Sequence, residues 1–380
     1  MEQIAFFING YCVHWRSVVI LFSAVGAICI FLSLYLKRTD NYIAALTLIP
    51  SAVLFSLILS RILYIYGYGQ IEVTGLSGFL SGFGSYATLS ILGCCLPITS
   101  LLYAVMFAIG YVPVEYGLIG NIFGNLAGIS ANNGFVLLGV FLGCFLAVML
   151  TKTMGVYKNV PMVLDCMSIA GSAGIAAGRL AELFGSGNRG QLIKSVLFSI
   201  WAQPVANPLT GVIESRFSTF LMQSAISGML FVGLLLFYNN STRKKDGDTT
   251  LLFLLFYCSS QFILDSTRYD SMKLRSNGFI SVVQVLSMLA FIAVIVLIFV
   301  RLVKMRGFKM WYLPLWGIDA ILIGCAGYME YFVQRYRNEA GLAYNVMCLT
   351  LGLVTITASC AFFSHLKENP YGTGLSGEQG

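Results

Sequence analysis

The chain is patterned as long apolar runs separated by short polar stretches. It shows neither the strict alternation of a half-buried strand nor the single apolar stripe of a surface helix. Ten runs stand out: Ser17–Leu36, Tyr42–Tyr66, Ser90–Val112, Gly134–Leu150, Val163–Phe184, Thr219–Phe237, Leu251–Thr267, Phe279–Val300, Leu313–Val333 and Tyr344–Phe363. Each approaches the roughly 20 residues that a helix needs to cross a hydrocarbon core. Lipid leaves no water to satisfy an open backbone, so the pattern predicts an all-α polytopic transmembrane helical bundle of about 9–11 spans.

Positive charge falls between the runs in four clusters: Lys37 with Arg38, Lys152 with Lys158, Arg243 to Lys245, and Arg301, Lys304, Arg306 and Lys309. Positive loops stay in the cytoplasm, which orients every run. The region Gly67–Asn133 must then cross an even number of times or not at all, either as a hairpin or with one re-entrant piece. It contains no Lys or Arg to decide between these. The long connection Gly185–Phe217 falls on the extracytoplasmic side.

Composition agrees with a membrane protein: 58% of residues are hydrophobic, 10% are charged, and the mean hydropathy is +0.82. Soluble domains carry about a quarter charged residues. The first 16 residues lack a basic stretch, and the first run is long enough to span, so no cleaved leader is expected. A net charge of +7 suits an anionic bilayer surface rather than nucleic acid. The ten cysteines show no CxxC spacing, and His14 and His365 are the only histidines. With two histidines, a histidine-based metal site is not expected.

Polar residues at membrane depth are costly and mark functional candidates. The small-residue run Gly171–Gly178 ends in Arg179, with Glu182 three residues on, before a glycine-rich stretch holding Asn188 and Arg189. Positions i and i+3 share a helix face, so these two charges can pair. Asp165 lies fourteen residues before Arg179. Tyr257, Gln261 and Asp265 recur every fourth residue on one face, and Arg268 follows at i+3. Arg61 and Tyr64 sit near the outer end of the second run, and His14-Trp15-Arg16 at the mouth of the first.

Plainer readings exist for several of these. Arg61, Tyr64 and His14-Trp15 suit interfacial anchors, and Asp265–Arg268 a structural ion pair. Asp319 and Glu330 read as bundle-facing polar residues with no assigned role. The run ending in Arg179 and Glu182 is the place where function outweighs structure. Arginines near the outer half of a bundle, with Tyr and Asn donors, suit an anionic phosphate, because the guanidinium fork matches phosphate oxygens. A lipid headgroup could enter such a site sideways.

Five pieces together resemble the prolipoprotein diacylglyceryl transferase family of bacterial inner-membrane enzymes. Val13-His14-Trp15 is similar to its His-Trp-Tyr-Gly, and Ser60-Arg61-Ile-Leu-Tyr64 to its Gly-Arg-x-x-Tyr. Gly134 to Gly143 resembles its Gly-Gly-x-x-x-His/Tyr-Gly-Gly-x-x-Gly segment. Asp165 through Arg179 keeps the spacing of its Asp…Gly-Arg signature. Tyr257-x3-Gln261-x3-Asp265-x2-Arg268 matches its Tyr-x3-Arg-x3-Glu-x2-Arg helix, followed by Val283-Gln284-Val-Leu-Ser287 for its Gly-Gln-Ile-Leu-Ser. The departures are Arg16 for a tyrosine, Leu138 for His/Tyr, Glu182 for an asparagine, Asn188 for an acidic loop residue, Gln261 for an arginine and Asp265 for a glutamate.

The resemblance implies a multi-pass protein of the bacterial cytoplasmic membrane that moves a diacylglyceryl group from phosphatidylglycerol to the lipobox cysteine of a prolipoprotein, without a cofactor. It implies that Arg179 holds the lipid phosphate and that Glu182, Asp265 and Tyr257 work beside it. Glu182 and Asp265 either orient arginines or act as base. Arg16, Arg61, Tyr64, Asp165, Asn188, Arg189, Gln261 and Arg268 would bind substrate. The alternative is a non-enzymatic protein on the same bundle that binds or transports anionic lipid. The expected organisation is a transferase-like core over 13–306 with an extra segment at about 67–131, a C-terminal transmembrane hairpin over 307–366, and a disordered tail over 367–380.

Overall fold

The computed structural model describes residues 4–8, 11–68, 136–185, 189–190, 192, 201–206, 212–241, 245–268, 271–272, 280–335 and 340–367. The expected span Ser90–Val112, most of the proposed 67–131 segment and the tail after residue 367 lie outside these. The chain divides into two compact units, one comprising Met1–Val160 with Ala181–Gly187, the other Pro161–Leu180 with Asn188–Gly380.

In the first unit, the hairpin β1 (Ile4–Ile8) and β2 (Tyr11–His14) runs directly into α1 (Trp15–Leu36). The helices α2 (Tyr42–Tyr68) and α3 (Leu137–Thr153) follow, and a 3-10 turn (Ala181–Phe184) packs against α1. α2 carries Pro50 in its interior, which transmembrane helices tolerate when neighbours and hydroxyl side chains take up the freed backbone groups.

Helices α2 and α3 touch backbone to backbone. A Cβ built on Gly139 would land on the backbone of Ser60, and one on Gly143 on the backbone of Ser56. The closeness lets Ser60 Oγ donate to Val136 O at 2.7 Å and Ser56 Oγ to Val140 O at 3.2 Å. Small residues substitute for hydrophobic driving force when both helices already sit in lipid. Gly139→Ala is therefore expected to separate the pair and to lower the yield and melting temperature of the purified protein. Gly26→Ala, on α1, where an added Cβ would meet nothing within 4 Å, is expected to leave both unchanged.

The second unit holds α4 (Val160–Leu180), the hairpin β3 (Ala202–Ala206) and β4 (Ile213–Phe217), and five further helices. These are α5 (Thr219–Asn240), α6 (Asp248–Ser266), α7 (Val282–Arg306), α8 (Tyr312–Arg335) and α9 (Ala340–Lys367). α6 packs against α5, α7 and α9, and α8 against α9. About 72% of the apolar window of α6 is buried, against 17% for α8, so α6 is the central post of this unit.

The N-terminal end of α6 is built from charge. Asp165 takes the amides of Gly247 and Thr250 and the Thr250 hydroxyl, each at 2.8 Å. These amides belong to the orphan donors of a helix start, and the helix dipole favours a carboxylate there. Asp248, fully buried, takes Arg301 at 2.8 Å.

Among the described residues, seven helices are long and apolar enough to cross a membrane, with shorter apolar helices at Tyr42–Leu57 and Leu137–Thr153. The fold is an all-α polytopic membrane bundle. The two hairpins, Ile4–His14 and Ala202–Phe217, were not expected from the sequence pattern.

Candidate active site

The polar core of the second unit is assembled around the outer end of α6. Tyr257, Gln261 and Asp265 lie on one face and all three are buried. Asp265 Oδ1 accepts from Arg268 Nη1 at 3.2 Å, and Oδ2 accepts a short bond from Ser281 Oγ. Ser281 is also the cap of α7: its hydroxyl accepts from the Gln284 amide at 3.0 Å, while Gln284 Oε1 accepts from the Ser281 amide at 2.9 Å. One hydroxyl thus ties the start of α7 to the carboxylate that holds Arg268.

Arg268 is fixed through its backbone as well. It bridges to Gly190, whose amide donates to Phe217 O at 2.7 Å. A Cβ at Gly190 would lie 2.7 Å from Phe217 Cβ and 2.9 Å from Thr219 Oγ1, so only glycine lets this connection close on β4. The neighbouring Arg189 stacks over Phe220, with Cζ 4.6 Å from the ring centroid. Arg179 is half-buried in the last turn of α4. Both Arg179 and Arg268 lie within electrostatic reach of Tyr257, which stacks on Phe253 at 5.2 Å. Two helix ends therefore bring arginines within electrostatic range of one buried phenol.

Gln261 stands where the motif has an arginine, and its Oε1 accepts from Gln223 Nε2 of α5 at 3.2 Å. Sequence reasoning missed Gln223 and Ser281. A lone glutamine in an apolar run marks the first, and the Ser-x-x-Gln capping box marks the second. Asp165 belongs to this unit, but its carboxylate is occupied at the N-terminal start of α6, which gives it a capping task.

In the first unit, Glu182 lies beyond the end of α4, in the 3-10 turn, and its Oε1 accepts from Arg16 Nη2 at 2.9 Å. Trp15 and Phe184 pack beside the pair at 6.2 Å. Two of the six positions that depart from the motif, Arg16 for tyrosine and Glu182 for asparagine, are thus partners in one ion pair. Leu138 is at the start of α3. Arg61 and Tyr64 lie on α2 with side chains outside the described residues, as does Asn188. Among the described residues no group of three or more His, Cys, Asp and Glu could hold a metal.

The sequence profile described as prolipoprotein diacylglyceryl transferase matches residues 87–300, more than half of the chain. The chain belongs to the prolipoprotein diacylglyceryl transferase family. The matched range includes Asp165 through Arg179 and the whole Tyr257–Gln284 network, and it ends before α8 and α9. No curated protein matches the chain. Membership makes this a multi-pass membrane protein of a transferase family that acts in lipoprotein biosynthesis.

Proposed function

We propose that this protein transfers the diacylglyceryl group of phosphatidylglycerol to the lipobox cysteine of a prolipoprotein at the extracytoplasmic side of the bacterial inner membrane. The observation that carries the reading is the buried network in which Asp265 holds Arg268 and Ser281, with Arg179 and Arg268 both within electrostatic range of Tyr257, at positions that match the family's motifs.

In this reaction the cysteine sulfur attacks the terminal glyceryl carbon of the lipid. A carbon–sulfur bond forms, the carbon–oxygen bond to phosphate breaks, and the thiol's proton ends on the departing phosphate, which leaves as glycerol phosphate. Negative charge grows on the departing phosphate, where prearranged guanidinium donors act most strongly in a site that excludes water. Arg179 and Arg268 take that role, and Arg189 adds a third cation through its link to Gly190 and Arg268. Both oxygens of Asp265 are engaged, by Arg268 and by Ser281, so Asp265 serves to orient Arg268. The Gln261–Gln223 amide pair offers neutral donors where the motif has a charge.

The test is release of glycerol phosphate by the purified full chain from phosphatidylglycerol in the presence of a lipobox peptide. Release that depends on the peptide's cysteine is the expected result. Retention of phosphatidylglycerol with no release would replace this reading with that of an anionic-lipid carrier. Release without any lipid joined to the peptide would replace it with simple hydrolysis.

A further inference from the structure

Beyond the matched range, α8 delivers a buried carboxyl group to the same end of the second unit. Glu330 is 1% exposed. Its Oε1 accepts from Gln334 Nε2, one turn on, at 3.1 Å. Its Oε2 is buried and completes no hydrogen bond of normal geometry, and among the described residues Glu330 has no cationic partner. Ser266 and Gln284 stand close beside it, and Asp265 and Tyr344 lie within electrostatic reach. Tyr344 of α9 donates to the carbonyl of Ser266 at 3.2 Å.

These contacts extend the site. Ser266 directly follows Asp265 at the end of α6. Gln284 closes the capping box with Ser281, and Ser281 in turn donates to Asp265. The path from Glu330 therefore runs through Gln284 and Ser281 to Asp265 and on to Arg268, with four helices meeting at one end of the unit. A buried carboxylate without a cation is a destabilising choice if its only task is packing, because an apolar residue of similar size is often neutral or better there. Asp319, the other acidic residue of α8, differs: its carboxylate accepts from Thr357 at 3.0 Å, and its bond joins only α8 to α9.

We propose that Glu330 is a positioning residue of the transfer site: through Gln284 and Ser266 it sets the placement of Asp265, and hence the aim of the Arg268 guanidinium. The C-terminal hairpin α8–α9 then completes the anion-binding end of the bundle. The inference rests on the function proposed above, and its experiment separates the two.

Glu330→Gln keeps shape and removes charge, Glu330→Asp keeps charge, and Tyr344→Phe removes the hydroxyl that pins Ser266. Glycerol phosphate release is measured against pH for each variant in the full chain, together with the yield of folded protein. The expected result for Glu330→Gln is a kcat lower by about tenfold, as for misplaced catalytic geometry, with KM for phosphatidylglycerol within about twofold of the parent. One ionisation is lost from its pH–rate profile. Glu330→Asp keeps the shape of that profile, and Tyr344→Phe shows a smaller drop in kcat.

A Glu330→Gln protein with the kcat and pH profile of the parent would overturn the inference, even if Glu330→Ala failed to fold. If the parent itself releases no glycerol phosphate, the transfer reading fails, and the same variants are compared in binding phosphatidylglycerol vesicles. Weakening of binding by Glu330→Gln to the level of Arg268→Ala then supports positioning of Arg268, and unchanged binding overturns it.

Discussion

Arg179→Ala is expected to lower glycerol phosphate release by about 100-fold or more, the scale of losing one prearranged donor to developing charge. The variant should still insert, fold and purify. Arg179 occupies the last turn of α4, and a cation there also complements the helix dipole. That bland contribution is below about 1 kcal/mol at a partly exposed helix end, too small to remove the protein from the membrane. Arg179→Lys separates the two roles. Lysine retains the charge and satisfies the helix end, but it loses the planar fork that grips two phosphate oxygens. Folding should therefore be rescued fully by lysine and transfer only in part. Full transfer by Arg179→Ala would remove Arg179 from the site, and loss of folding in Arg179→Ala rescued by Arg179→Lys would make it a structural cation.

The same experiment bears on Gln261. With one motif arginine replaced by an amide pair to Gln223, Arg179 and Arg268 carry more of the anion binding. Arg268→Ala should then be nearly as damaging as Arg179→Ala, and it should also free Asp265, which keeps only its bond from Ser281.

What was legible in the sequence followed from the length of apolar runs. Span existence rests on about 20 consecutive apolar residues, a signal that tertiary context barely alters. Boundaries depended on local polar chemistry that hydropathy ignores. The run beginning at Leu251 is helical from Asp248, because Asp165 and Asp248 satisfy the first amides of the turn. The run beginning at Phe279 becomes helical only at Val282, because Ser281 and Gln284 form a capping box. Helical spacing put Tyr257, Gln261 and Asp265 on one face, since periodicity is a local property. Partners far apart in the chain carried no such signal. Ser281 reaches Asp265 across the connection between α6 and α7, Gln223 reaches Gln261 from another helix, and Glu330 comes from beyond the motif altogether. The strand pairing of Ile4–Ile8 with Tyr11–His14 was missed although the sequence signals it: Asn9-Gly10 between two short apolar runs is a hairpin signature, and only the lack of alternation in the flanking residues obscured it.

The Arg16–Glu182 pair allows a prediction that uses both departures from the family pattern at once. Each partner is mostly buried, with side-chain exposures of 16% and 11% at a separation of 2.9 Å. The pair is boxed in, since a Cβ on Gly185 would come within 3.1 Å of Glu182 Oε2 and 3.2 Å of Arg16 Cδ. Removing one partner takes this contact away from a mostly buried charge, at a cost of about 3 kcal/mol. Arg16→Tyr alone and Glu182→Asn alone are both expected to lower the melting temperature and the folded yield. The double variant Arg16→Tyr, Glu182→Asn carries the family's residues at both positions and strands no charge. Its stability should return toward the parent, with a coupling of about 1–3 kcal/mol between the sites. Additive losses would mean that the ion pair is incidental. The kinetics of that double variant then decide what the pair is for. Parental kcat and KM would make it a neutral exchange that holds the 3-10 turn against α1. A stable double variant with raised KM for phosphatidylglycerol would place Arg16 among the groups that meet the lipid phosphate.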